Sequence, residues 1–232
     1  LPIKLAPGVY HIRAYTNWMR NEDAAYFYNQ SIQVVGFQSQ IATNKTEQRP
    51  DVQFFPEGGD LVIGIRSKVA VKAVNANGLG EDIKGTVTDN DGNEVAYFIT
   101  QHLGMGAFAL VPQEGKTYKA NITASSGAQF TVDLPVAKSS GYAMALNNAD
   151  KDSLYVKISV NDKFLSEHKN SVFYLIAQSA GKVYFTSAAH LSGPVLTTLI
   201  PKSRFPTVSL QFTLLSATGE PLNKRVVFIQ QN

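Results

Sequence analysis

The sequence predicts an all-β protein made of tandem antiparallel β-sandwiches, and three observations carry that prediction. Apolar residues recur at i and i+2 far more consistently than at i, i+3 and i+4, which is the period of a strand. The apolar runs are short and follow one another at a spacing of roughly 8 to 12 residues, as in a sandwich. Between them stand Pro56-Glu-Gly58-Gly59, Asn75-Ala-Asn77-Gly78, Asp89-Asn-Asp91-Gly92 and Ser125-Ser-Gly127, all rich in residues that tolerate positive φ. Little helix is expected.

Taken in order, Gly8 to Thr16 and Ala25 to Val35 read as two strands. Two strands alone bury no core. Residues 1–36 are therefore expected to be the closing hairpin of a truncated domain, or else to pair with a later one. The polar run 37–50, ending at Arg49-Pro50, reads as a linker. A sandwich is expected over 51–135, with about eight strands at Val52–Phe55, Leu61–Ile65, Val69–Val74, Ile83–Val87, Val95–Ile99, Phe108–Leu110, Tyr118–Ile122 and Phe130–Leu134. Within it, Gly104 to Ala120 reads as a hairpin whose turn is closed by Pro112 and Gly115. A second sandwich is expected over 136–232, with about seven strands at Tyr142–Leu146, Leu154–Val160, Val172–Ala177, Val183–Thr186, Val195–Ile200, Val208–Leu215 and Arg225–Ile229. The run Val172-Phe-Tyr-Leu-Ile-Ala177 is continuously apolar, which predicts a central strand buried on both faces.

Composition narrows the function. The chain has 232 residues, enough for about two domains. Its 21 Lys and Arg against 18 Asp and Glu leave a net charge of only +3, so no nucleic-acid partner is expected. There is no cysteine, which removes disulfides, thiolate metal sites, cysteine nucleophiles and thioesters together. No apolar run approaches the roughly 18 residues of a membrane-spanning helix. The abrupt start at Leu1 reads as a cut within a larger protein.

Several segments carry a resemblance. Asp51-Val-Gln-Phe-Phe-Pro-Glu-Gly-Gly-Asp60-Leu, Lys84-Gly-Thr-Val-Thr-Asp89 with Asp91-Gly92, His102-Leu-Gly-Met-Gly-Ala-Phe108, and Pro112 to Tyr118 resemble an alpha-2-macroglobulin-like domain. Gly8 to Met19 is similar to the end of a preceding domain of that kind, and Phe205 to Phe228 to the close of a following one. The resemblance implies immunoglobulin-like or macroglobulin-like sandwiches in a multidomain envelope protein of Gram-negative bacteria, of the sort sometimes joined to a TonB-receptor plug-like domain. It implies an exported, periplasmic or outer-membrane-associated location, with other domains of the parent protein and an outer-membrane protein as partners. The trapping chemistry of that family uses a Cys–Gln thioester, which a chain without cysteine does not carry.

Candidate chemistry is sparse. The four histidines His11, His102, His168 and His190 show no metal-ligand spacing, and no Gly-x-Ser-x-Gly elbow anchors a triad. Asp89-Asn-Asp91-Gly92 begins like a calcium loop, but lacks the later glutamate and reads better as a hairpin turn. Gly104-x-Gly106 and Gly78-x-Gly80 have no helix behind them to cradle phosphate. The carboxylate pairs Glu57/Asp60 and Glu81/Asp82 sit in turns, as solvated turn formers do. Arg13, Arg66, Lys68 and Lys72 read as the wet faces of strands.

Aromatics remain. Tyr10, Tyr15, Trp18, Tyr26, Phe27 and Tyr28 cluster within the first 28 residues. They read as core or interface packing, with Trp18 across a module boundary, or as a ligand-contact face. The candidate interaction surface is accordingly Tyr15, Trp18, Tyr26, Tyr28 and, on a hydrophobic edge strand, Phe54. The expected function is a non-catalytic structural or interaction module, without cofactor or metal. The alternative is a glycan- or peptide-binding module of an outer-membrane uptake system.

Overall fold

The computed structural model describes residues 8–17, 20, 27–34 and 49–231. The chain divides into two compact units, Leu1–Thr46 and Glu47–Asn232. In the first unit β1 (Gly8–Ala14) and β2 (Tyr28–Val34) form an antiparallel pair, with Gly8 opposite Val34 and Ala14 opposite Tyr28.

The second unit holds two sandwiches. The first is built from β3 (Asp51–Pro56), β4 (Ser67–Val74), β5 (Ile83–Asp89), β6 (Glu94–His102), β7 (Met105–Leu110), β8 (Tyr118–Ala124) and β9 (Gln129–Asp133). Their order is β3-β4-β7-β6-β5-β8-β9. Strand β6 joins the layers: its residues 94–99 pair with β5, and Thr100 and His102 pair with β7. Alternation sends Val52 and Phe54 of β3, Val69, Val71 and Ala73 of β4, and Tyr118, Ala120 and Ile122 of β8 into one core. At its centre Phe98 stacks on Phe108 with centroids 5.4 Å apart, and Phe54 meets both edge-on at 5.8 and 6.0 Å. Gly85 seats that cluster, because a Cβ there would lie 2.5 Å from the Phe98 ring.

The second sandwich sets the three-stranded sheet β10-β11-β14 against the four-stranded sheet β13-β12-β15-β16. Its strands are β10 (Tyr142–Asn147), β11 (Ser153–Val160), β12 (Val172–Ser179), β13 (Lys182–His190), β14 (Val195–Pro201), β15 (Val208–Leu215) and β16 (Pro221–Ile229). Between the sheets lie Met144, Leu154, Ile200, Leu210, Phe212, Leu214 and Ile229, none of them exposed. Lys202, only 9% exposed, pins the loop after β10: its ammonium donates to the carbonyls of Asn148, at 3.1 Å, and Asp150.

Both sandwiches are all-β and immunoglobulin-like, as expected, and four details differ from the sequence reading. Leu61–Ile65 is apolar and buried yet is no strand; Gly64 turns it at φ +79° and it meets the second sandwich. The first sandwich therefore has seven strands. Gly104–Ala120 is no hairpin, because β7 pairs with β4 and β6 whereas β8 pairs with β5 and β9. The chain crosses between layers there, and the Tyr118 hydroxyl anchors the crossing by accepting a bond of 2.8 Å from the Gln113 amide. Finally, β12 is central but not buried on both faces: Phe173, Leu175 and Ala177 face the core while Tyr174 is 40% exposed.

One helix among the described residues, α1 (Asp162–Glu167), was not legible as a helical stripe. Six residues make under two turns, too few for a periodic pattern. Its start is nevertheless marked, since the Asn161 side chain caps it by accepting from the Phe164 amide at 3.1 Å.

Candidate interaction site

In the N-terminal unit the described candidates Tyr15 and Tyr28 lie at one end of the β1–β2 pair. Tyr15 stacks on Phe27 with centroids 4.5 Å apart. The Arg13 guanidinium lies 5.9 Å above the same ring and donates to Asn29 Oδ1 at 2.9 Å. Tyr28 donates from its hydroxyl to Gln30 Oε1. Tyr15 and Tyr28 are half-exposed, at 50% and 57%. Trp18 and Tyr26 lie outside the described residues.

Phe54 does not belong to an interaction surface. It is 8% exposed and packs against Phe98 and Phe108, because its parity on β3 turns it inward. Phe55 is the outward residue, 51% exposed.

Several of the remaining sequence candidates have structural partners. Asp89 Oδ1 accepts from the amides of Asp91 and Asn93, both at 2.9 Å, while Oδ2 accepts from Asn93 Nδ2 and from the Lys116 ammonium, each at 3.1 Å. Lys116 also pairs with Asp91. The cation in this turn is thus a lysine side chain. The Asn93 side-chain bond, ahead of the backbone amides and Lys116, holds the Asp89 carboxyl far below the usual carboxylate range. Lys116 is raised in turn, chiefly by its bonds to Asp91 and Asp89. Gly104, at φ +69°, lies so close to Ala73 that a Cβ would come 2.2 Å from its carbonyl, so the glycine answers to backbone crowding. The His168 ring stacks on Phe164 at 4.0 Å, and the His190 ring contacts the Asn170 carbonyl. No group of three His, Cys, Asp or Glu side chains suited to a metal occurs among the described residues.

The most elaborately bonded place in the second unit is the junction between its sandwiches. Val62, Ile65 and Ala143 form a dry plug, each under 9% exposed. A parallel bridge pairs Val62 with Lys138; the Ile63 amide donates to the Lys138 carbonyl at 3.0 Å, and the Lys138 amide to the Leu61 carbonyl at 2.8 Å. Asn161 satisfies every polar atom it carries. Its Nδ2 donates to the carbonyls of Ile63 and Ser139 at 3.1 and 2.8 Å, and its Oδ1 accepts from the amides of Gly141 and Phe164. On another side Arg225 meets Glu57 Oε1 at 2.8 Å, and Asn223 Nδ2 donates to the Gly58 carbonyl. Lys138 meets Asp60 at 2.7 Å. Burial, and secondarily the charge of Asp60, pushes the nearby Tyr142 phenol up.

Sequence reasoning missed this junction. It weighed Glu57 and Asp60 as an acid–base pair, whereas each is matched to a cation, Arg225 168 residues downstream and Lys138 78 residues downstream. The one available local signal was Asn161-Asp162, a helix-capping pair where no long helix follows.

No protein-family model and no curated protein matches the sequence. Solved structures do. The chain is similar to Yersinia pseudotuberculosis adhesin InvE, with 11% identity and a TM-score of 0.28, over 80% of this chain and 61% of that one. It is similar to Salmonella alpha-2-macroglobulin, with 10% identity and a TM-score of 0.30, over 98% of this chain and 19% of that one. A third is surface layer protein SbsC, domains 4–9, with 11% identity and a TM-score of 0.34, over 97% of this chain and 35% of that one. The chain therefore spans under two thirds of each of these proteins.

Proposed function

We propose that the chain is a non-catalytic spacing and interaction segment of a larger cell-envelope protein, in which two sandwiches joined without slack hold neighbouring parts at a fixed angle. The observation that carries this reading is the junction. A flexible tether needs neither a buried apolar plug nor a side chain such as Asn161, whose Nδ2 reaches the Ile63 carbonyl of the first sandwich while its other bonds hold it to Ser139, Gly141 and Phe164. The envelope setting, and a link to an outer-membrane uptake system with its partner proteins, rest on the resemblance of residues 51–118 to macroglobulin-like domains. A second reading, glycan or peptide binding, is favoured by the half-exposed Tyr15 and Tyr28 beside the Arg13–Phe27–Tyr15 stack.

Spin labels test the junction cleanly because the chain has no native cysteine. Labels at Thr131→Cys on β9 and Ser209→Cys on β15, both exposed sites, should give one narrow distance distribution. Asn161→Ala together with Arg225→Ala should broaden it. A broad distribution in the otherwise unsubstituted chain would sink the spacer reading. For the second reading, glycan or peptide binding lost in a folded Tyr15→Ala/Tyr28→Ala variant is the expected result.

A further inference from the structure

An open sheet edge must be blocked or used, because its unpaired amides and carbonyls invite another strand. Several edges of residues 47–232 are blocked. Strand β3 ends in Pro56, β9 has five residues ending in Asp133, and β14 lies between Pro194 and Pro201. Strands β10 and β16 are tied together, Tyr142 donating to the Leu222 carbonyl and Asn148 Nδ2 to the Phe228 carbonyl, both at 2.9 Å.

Strand β13 has none of these devices over most of its length. Its register shifts once, opposite Ala177 and Gln178, so that Tyr184 bulges. Beyond the bulge, Phe185-Thr-Ser-Ala-Ala-His190 pairs regularly with β12 on one side and, among the described residues, with no strand on the other. It holds no proline, no lysine or arginine and no acid. Four consecutive small residues, Thr186 to Ala189, let a second backbone approach.

We propose that Phe185–Ala189 pairs antiparallel with the same segment of a second copy of this chain, about a two-fold axis at Ser187, joining two four-stranded sheets into one. Size and charge favour this occupant. A two-fold normal to the sheet must sit on a residue, so that facing side chains share a face. Placed on Ser187, it sets the large Phe185 of each copy against the small Ala189 of the other, and Thr186 against Ala188. The strand's lysine, Lys182, lies 5.0 Å over its own Tyr184 ring. In the antiparallel pair the two copies of it stand about 30 Å apart, several screening lengths. Five paired residues from each copy make a small interface, so the dimer is weak, with a dissociation constant on the order of micromolar.

The inference is independent of the junction and is tested by sedimentation velocity of the whole chain from about 1 to 100 μM. The expected result is a mass rising toward twice that of the monomer. Thr186→Lys/Ala188→Lys, which sets lysine against lysine across the axis, should stay monomeric. Thr186→Lys/Ala188→Glu, which sets lysine against glutamate, should dimerise at least as tightly as the unsubstituted chain. Both positions are exposed on the outer face, so the two variants share their folding risk and differ at one residue. Hydrogen exchange of the unsubstituted chain adds a readout free of any substitution: slowing at high concentration should be confined to β13. A protein monomeric throughout overturns self-pairing and leaves the edge to a strand of another chain. A dimer that survives lysine at both positions, or leaves β13 exchange unchanged, also overturns it.

Discussion

Asp89 shows how one carboxylate closes a turn. Its oxygens collect two backbone amides, an amide side chain and an ammonium, all within the β5–β6 turn or from Lys116. Because those donors favour the charged form, the folded-state pKa lies below the unfolded one, which is about 4. Its contribution to stability is therefore fully present above that value and fades as pH falls through and below it. Asp89→Asn should lower the melting temperature at pH 7 and flatten its decline between about pH 5 and 2, measured by thermal scans across that range. The sequence pointed to this turn correctly through Asp-x-Asp-Gly. It gave no sign of Lys116, because a partner 27 residues away is set by which strands become neighbours.

At the level of elements, parity on a strand decides a residue's fate more firmly than its type. Phe54 and Phe55 are the same amino acid one position apart on β3, yet one completes the Phe98–Phe108 cluster and the other faces out. Phe54→Ala should cost about 3 to 5 kcal/mol in chemical denaturation, as deletion of a buried phenylalanine does. Phe55→Ala should stay within about 0.5 kcal/mol, and equal costs would contradict the packing described here. Strand existence was legible because apolar runs and Gly-Asn-Asp turns alternate so regularly; all seven strands expected in the second sandwich are present. Two things were not legible. Leu61–Ile65 looks like a strand because burial, not pairing, makes a run apolar. The Gly104–Ala120 stretch looks like a hairpin because sequence proximity does not say on which layer the chain lands.

For the molecule as a whole, tandem sandwiches were foreseeable from spacing, whereas their junction was not. Its contacts join residues as far apart as Glu57 and Arg225, and no local pattern announces a bond of that span. A joint this closely bonded should couple the stability of the two cores. Residues 47–232 should melt in one calorimetric transition, and Val62→Asp, which places a carboxylate in the dry plug, should split it in two. Two separated transitions in the unsubstituted chain would mean the sandwiches are energetic strangers. Strand β6, hydrogen-bonded to β5 along one part and to β7 along the next, has a consequence of its own. The first sandwich is, in connectivity, a single ribbon rolled over on itself rather than two plates laid together. Under load such a roll has no interlayer plane along which its halves can slip apart with every strand ladder intact, so failure must begin by unzipping hydrogen bonds along a strand.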